Sequence, residues 1–266
     1  MSSKALIALC IAILMPVISY MLVKYYGDNA VAMPRRYYED SIITKVTNGK
    51  ETSDTVWHKV ADITLQNQLG HTVSLSDLKG RVIVADFFFT RCPSICPKLT
   101  LNMRKLQNAL KLKDDMKRID TTFVQFLSFS VDAERDSVPA LKKYADRFGV
   151  NQDVWWLLTG PKKKIYDFAL DELKLGIADG GTVDSNFIHS QKMVLLDKDR
   201  VVRGYYDGLD SMDVAKMGDA IVLLMLEKDK NKKSALVTEL AAIWPIFIIV
   251  IVAVIIFMLL TRKPKF

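Results

Sequence analysis

The hydrophobic pattern of this chain changes period several times. Residues 60–65 alternate apolar and polar, Asn67-Gln68-Leu69-Gly70 carries turn chemistry, and 72–75 extends again, which predicts a hairpin. A short turn over 76–80 leads into 82–89, apolar except for Asp86. That run is too short and too rich in β-branched and aromatic residues for a free-standing helix, so it predicts a strand buried on both faces. Leu99, Met103, Leu106 and Leu110 then recur at helical spacing within 97–113. A second buried strand is predicted over 122–131. A helix follows over 138–148, with Asp136-Ser137 before it, Pro139 in its first turn and Gly149 just past its end. A strand over 154–158, a helix over 162–173, a hairpin made of 193–197 and 201–206 around Lys198-Asp199-Arg200, and a helix over 211–228 complete the pattern.

Alternating strands and helices imply parallel pairing, and the late hairpin adds antiparallel strands. The expected class is α/β, a central mixed sheet flanked by helices, with ligand-bearing loops at the carboxyl ends of the parallel strands. No internal repeat is visible.

Both ends carry a different pattern. Residues 5–23 and 241–260 contain no charged side chain, and each run is long enough for a transmembrane helix through about 30 Å of hydrocarbon. The expected organisation is an N-terminal anchor over 1–24, a linker over 25–56 that is polar and irregular over 27–50, and a folded domain over 57–228. A juxtamembrane stretch over 229–240, a second transmembrane helix over 241–260 and a basic tail over 261–266 follow. A cleaved signal peptide ending at Ala30-Val31-Ala32 is the alternative to the anchor; the length of the apolar run and Lys24 favour the anchor. Arg262, Lys263 and Lys265 place the tail in the cytoplasm by the positive-inside rule, and the N-terminus with it. Lys24, Arg35 and Arg36, and Lys228, Lys230, Lys232 and Lys233, lie on the other side and oppose that orientation. The expected location is the inner membrane, both termini cytoplasmic, with the domain facing the periplasm or an equivalent space.

The chain has 266 residues and a formal net charge of +7. Many of its positive residues flank the two apolar runs, which suits contact with anionic lipid, and elsewhere acidic and basic residues are interspersed. No nucleic-acid partner is expected. Three cysteines exclude a disulfide scaffold. Cys10 lies within the first apolar run and reads as a small apolar residue.

The other two cysteines stand in Arg91-Cys92-Pro93-Ser94-Ile95-Cys96-Pro97, at the end of a predicted strand and the start of a predicted helix. Positive charge at a helix N-terminus favours thiolate, the form that binds metals and attacks disulfides. Two thiols can be a redox pair, a plain disulfide, or two ligands of a soft metal. A spacing of C-x-x-x-C spreads the sulfurs further than the usual dithiol C-x-x-C, and thiolate with imidazole suits copper, Cu(I) through sulfur and Cu(II) through nitrogen. Of three histidines, His58 and His71 read as surface residues. His189, in Asn186-Phe187-Ile188-His189-Ser190 just before a core strand, is the candidate third ligand; as a lone histidine it also fits a structural role.

Asp86-Phe-Phe-Phe-Thr-Arg-Cys92-Pro-Ser-Ile-Cys96-Pro97, then Phe129-Ser130-Val131-Asp132-Ala-Glu-Arg-Asp136-Ser137, then Ile188-His189-Ser190, resembles the SCO/SenC family of thioredoxin-fold copper proteins over roughly 57–228. The resemblance implies a thioredoxin-like fold and one copper ion held by Cys92, Cys96 and His189. It also implies a role in assembling the binuclear copper site of cytochrome c oxidase subunit II or a similar copper oxidase. Loading requires both sulfurs reduced, so a thiol reductant and a copper donor are further expected partners. Asp132 and Asp136 are candidates for shaping the loop near the site, although Asp136-Ser137 reads first as a helix cap. The family typically has a single N-terminal anchor, and this chain adds a C-terminal span. The alternative function is a membrane-anchored thiol–disulfide oxidoreductase using Cys92 and Cys96. Asp86 would assist it, since it resembles the buried aspartate that aids proton transfer in thioredoxins. Against that reading, thioredoxins face their cysteines with a cis-proline loop, and no proline lies near His189.

Overall fold

The computed structural model describes residues 32–47, 50–110, 123–175 and 191–227, together with a few isolated positions before residue 32. The predicted spans 5–23 and 241–260, Cys10 and His189 lie outside these segments. Among the described residues no helix is long and apolar enough to cross a membrane. The chain divides into two compact units, Met1–Ala32 with Glu227–Phe266, and Met33–Leu226; the second contains the sheet.

Seven strands make that sheet, and β5 (Val82–Phe88), β6 (Val124–Ser130) and β7 (Trp155–Thr159) form its parallel centre. All seven residues of β5, and all seven of β6, are buried. This is why β5 reads as an apolar run broken only by Asp86; β6 likewise buries Gln125, Ser128 and Ser130 beside its apolar residues. β8 (Lys192–Leu196) and β9 (Val202–Asp207) add antiparallel strands beyond β5, and β3 (Thr64–Asn67) and β4 (Thr72–Ser74) do so beyond β7. The spatial order is β4-β3-β7-β6-β5-β8-β9.

The period-two alternation of β5 divides the core. Val82, Val84 and Phe88 point to the face covered by α1 (Ile95–Ala109), α2 (Val138–Phe148) and α4 (Ser211–Leu226). Ile83, Ala85 and Phe87 point to the other face, covered by a 3-10 turn at Leu75–Leu78, by α3 (Lys162–Asp167) and by the wider π turn Phe168–Glu172 that prolongs it. Burying each large apolar side chain contributes about 1.5–3 kcal/mol, so both faces are needed to hold the sheet. Gly149 ends α2 in the left-handed region, at φ 64°, where its missing Cβ removes the steric cost. α1 starts two residues earlier than the apolar spacing predicts, at Ile95, which brings Cys96 inside the helix.

One expectation is corrected. Residues 27–50 read as irregular, yet β1 (Glu39–Thr47) lies within them and forms an antiparallel hairpin with β2 (Lys50–Trp57), a separate two-stranded sheet. The strap before it is also ordered against the sheet. The Tyr37 amide donates to the Val202 carbonyl at 3.0 Å, and the Tyr37 ring meets Tyr205 edge-on. Arg203 Nε donates to the Pro34 carbonyl at 3.0 Å. The strap thereby covers part of β9, which would otherwise present an open strand edge. Arg203 also pairs with Asp197 at 2.9 Å, with 2% and 3% of their side chains exposed. Asp197 Oδ1 in turn accepts the amides of Asp199 and Val201 and closes the β8–β9 turn.

Removing one partner of a buried pair leaves an uncompensated charge. Arg203→Met is therefore expected to lower the unfolding free energy by about 3–5 kcal/mol, measured by urea denaturation of the reduced chain. A loss within the range of an exposed surface pair would show that the Asp197–Arg203 contact does not carry this load.

Candidate metal centre

β5 delivers the chain to the thiols. After Phe88 the backbone turns, with the Cys92 amide donating to the Phe89 carbonyl at 3.2 Å, and α1 begins at Ile95. Ser94 stands at the N-cap position, but its side chain makes no capping hydrogen bond. The sulfur of Cys92 takes that place: it accepts the Cys96 amide at 3.4 Å. Pro97, at the third helical position, has no N–H to satisfy, so the helix start has one donor fewer than usual.

The two sulfurs sit in different surroundings. Cys92 is 6% exposed and Cys96 1%, and both are free thiols. Burial pushes the Cys92 thiol up, but the Cys96 thiol and the amides of Cys96, Ser94 and Ile95 outweigh it, and the balance falls below the ordinary thiol value. Burial dominates at Cys96 and raises it well above the ordinary range; the hydrogen bond to Cys92 adds to the rise, and the Phe89 amide offsets only part. The two thiols are thus pushed in opposite directions, Cys92 toward easier ionisation and Cys96 away from it.

Asp86 lies behind them on the same face of β5 as Val84 and Phe88, 1% exposed. Neither of its oxygens has a hydrogen-bond partner of good geometry among the described residues. Burial pushes its carboxyl up to about 7, and the hydroxyl of Ser128, its register partner on β6, lowers it only in part. The Ser128 oxygen is already engaged by Trp155 Nε1 at 2.9 Å. From the side of α1, Thr100 Oγ1 donates to the Cys96 carbonyl and lies 2.8 Å from the Tyr144 hydroxyl, which ties the thiol-bearing helix to α2.

The acidic motif after β6 closes the other side. Asp132 Oδ2 pairs with Arg91 at 3.2 Å in a partly exposed contact, and Arg135 reaches the same oxygen at 3.8 Å. Asp136 corrects an expectation. Ser137, not Asp136, occupies the N-cap position of α2, and its side chain makes no capping bond. The Asp136 carboxylate turns inward, completely buried, and accepts from the Thr90 amide at 3.0 Å, Thr90 Oγ1 at 2.5 Å and Ser130 Oγ at 2.6 Å. Thr90 and Ser130 were not singled out from the sequence. The available signal was a hydroxyl two residues past the end of β5 and another on the last residue of β6.

Of the sequence-predicted ligands, Cys92 and Cys96 come together and His189 lies outside the described residues. Among the described residues no group of three or more His, Cys, Asp or Glu side chains is placed to hold a metal ion. His71 is exposed. His58 is less exposed than expected: its ring stands between Asp40 at 3.0 Å and Glu172 at 3.4 Å, joining the base of the β1–β2 hairpin to the π turn.

A family model described as SCO1/SenC matches residues 52–223. The SCO1 protein homolog of Bacillus subtilis is 38% identical over 164 residues, covering 61% of this chain and 81% of its own length. A mitochondrial Protein SCO2 homolog of Mus musculus is 26% identical over 147 residues, covering 54% of each chain. Among solved structures, a SCO1/SenC family lipoprotein from Bacillus anthracis matches with a TM-score of 0.52 at 30% identity, over 64% of this chain and 95% of that one. BsSco is described as a member of the Sco family of cytochrome c oxidase assembly proteins in which a disulfide switch has been identified. It matches with a TM-score of 0.52 at 33% identity, over 65% and 98%. The mixed sheet and these neighbours establish a thioredoxin-like Sco fold.

The raised carboxyl of Asp86 links stability to pH. The unfolded group releases its proton near 3.8 and the folded one near 7, so the folded state binds more protons between these values and loses stability as pH rises through them. Asp86→Asn, which imitates the protonated form, is expected to stabilise the reduced chain by roughly 1–4 kcal/mol at pH 8 and by almost nothing at pH 4. Urea denaturation at both pH values measures the gap; a gap of equal size at the two would contradict the assignment.

Proposed function

The chain belongs to the SCO1/SenC family, and from that premise we propose that it is a copper metallochaperone tethered to a membrane. Its cargo is one copper ion, held by Cys92, Cys96 and His189. It hands that ion by ligand exchange to cytochrome c oxidase subunit II or a similar copper oxidase, after loading from a copper donor. The observation that carries the reading is the pair of buried sulfurs at the N-terminus of α1, one of them accepting the Cys96 amide and shifted toward easier ionisation. Thiolates favour Cu(I), and an added imidazole accommodates Cu(II). Loading releases two thiol protons to solvent and requires both sulfurs reduced, so a thiol reductant acts upstream and a Cys92–Cys96 disulfide blocks loading.

Topology supports His189 as the third ligand. β8 pairs antiparallel with β5, Ala85 opposite Val194, so β8 starts at the end of the sheet where β5 finishes. Gln191, two residues beyond His189, accepts the Gly208 amide at that end. The membrane tether rests on the uncharged runs 5–23 and 241–260, and the orientation, with both termini cytoplasmic and the domain in the periplasm, rests on the basic tail.

A second reading, a thiol–disulfide oxidoreductase, is favoured by Asp86. The Cys92 thiolate would attack a substrate disulfide, and Cys96 would resolve the mixed disulfide by passing its proton to the Asp86 carboxylate. The products are a Cys92–Cys96 disulfide and a substrate dithiol, whose two sulfurs leave as thiolates and take up the proton held by Asp86 and one from solvent. The thiol spacing and the Ile188-His189-Ser190 motif favour copper over this.

The full-length chain titrated with Cu(I) and Cu(II) is expected to take up one ion. Cys92→Ser and Cys96→Ser should lose Cu(I), and His189→Ala should lose Cu(II). If His189→Ala binds Cu(II) like the parent chain and reduces disulfides normally, the copper reading gives way to the redox one. Cysteine labelling from outside intact cells tests the orientation, and a C-terminal tail reached by the label would reverse it.

A further inference from the structure

The sulfurs are held in place by groups that touch neither of them, and the most constrained of these is Asp136. It is completely buried and forms no ion pair among the described residues, yet it accepts three hydrogen bonds. A buried polar group is costly unless its hydrogen-bonding atoms are satisfied, and here three donors satisfy this one. Two of the three donors belong to Thr90, the second residue before Cys92, and the third to Ser130, the last residue of β6.

β5 and β6 are in register from Val82 opposite Val124 to Phe88 opposite Ser130. Both strands therefore end at the same level, where the Val131 amide donates to the Phe88 carbonyl at 2.9 Å. Asp136 supplies the next attachment. Its own position is fixed by its amide, which donates to the Asp132 carbonyl at 2.9 Å. The Arg91–Asp132 contact repeats the same bridge at the surface, where an ion pair contributes little.

We propose that Asp136 is a positioning residue for the thiol pair. Acting through Thr90, it fixes the turn that carries Cys92 against the start of α1. This deepens the copper reading but depends on it only for the identity of the cargo, because the two sulfurs must be pre-arranged for a metal and for a disulfide alike. Ser130 satisfies the same carboxylate from the strand side, and its bond does not lead to Cys92.

The equilibrium between dithiol and disulfide reports this pre-arrangement in the absence of copper. Closing Cys92 on Cys96 releases two electrons and two protons, which convert oxidised glutathione to two reduced molecules, and the constant rises with the effective concentration of one sulfur at the other. Metal-free full-length chain is equilibrated in glutathione buffers, and the fraction of disulfide is read by thiol alkylation and mass. Thr90→Val, which keeps the shape but removes the hydroxyl donor, and Asp136→Asn are both expected to lower the constant by about tenfold, a rise of about 30 mV in potential. Ser130→Ala should leave it within about twofold, less than about 10 mV. If Asp136→Asn fails to fold, Thr90→Val carries the test alone, since it deletes a single side-chain bond. A folded Thr90→Val with unchanged or lower potential overturns the proposal, and so does Ser130→Ala shifting as far as Thr90→Val. Copper titration of the parent chain separates the two readings: parent chain that binds no copper, with the potentials as expected, removes the cargo and leaves the positioning role standing.

Discussion

Parallel pairing of β5 with β6 is the constraint on which the site rests. Two buried strands in register, ending together at Phe88 and Ser130, bring two unrelated loops to one level of the sheet. One loop carries the thiols and the other carries the acidic motif. Because the two faces of β5 pack against different clusters, a shift of one residue would exchange their side chains, mismatch both and move Asp86 to the other face. The register is therefore fixed by the whole core, and the separation between Thr90 and Asp136 inherits that precision. Packing energy collected across the sheet is what allows a few polar contacts at its end to be specific.

Those polar contacts are of two kinds with opposite consequences. Asp136 has its acceptors filled by the Thr90 amide and by the Thr90 and Ser130 hydroxyls. Asp86, on the neighbouring stretch of β5, has none filled with good geometry and holds its proton to about pH 7. Burial is nearly the same for the two carboxylates; the supply of donors separates them. The thiols repeat the contrast. Amides at the start of α1 draw Cys92 toward thiolate, and burial keeps Cys96 protonated. Burial raises Asp86 and Cys96, and hydrogen-bond donors outweigh it only at Cys92.

The sheet was legible because its signals are local. The run 82–89, the helical spacing from Leu99 to Leu110 and the Pro139 and Gly149 marks around α2 all reflect burial or backbone geometry within a few residues. The β1–β2 hairpin was not, because most of its described side chains are exposed and no apolar period betrays it. Asp136 was misread for a different reason. Asp-Ser before a helix is what a cap looks like, and the donor that decides the matter lies 46 residues away in sequence. Arg203 was hidden in the same way: a charged residue in an edge strand reads as solvent-facing until a carboxylate and a carbonyl from the strap enclose it. The two cysteines were legible as a pair, but their difference was not, since it arises from which sulfur lies under the amides.

That difference has a kinetic consequence. With Cys92 slightly open and Cys96 sealed, an incoming ligand or acceptor meets the sulfurs in a set order. Any associative exchange must begin at Cys92 and can engage Cys96 only after the first bond has formed. On the proposed copper reading, loading and release are the same path run in opposite directions, with the inner sulfur as the last contact made on entry and the first released on exit. A partner need present only one donor to begin the transfer, and the protein controls when the second step becomes available.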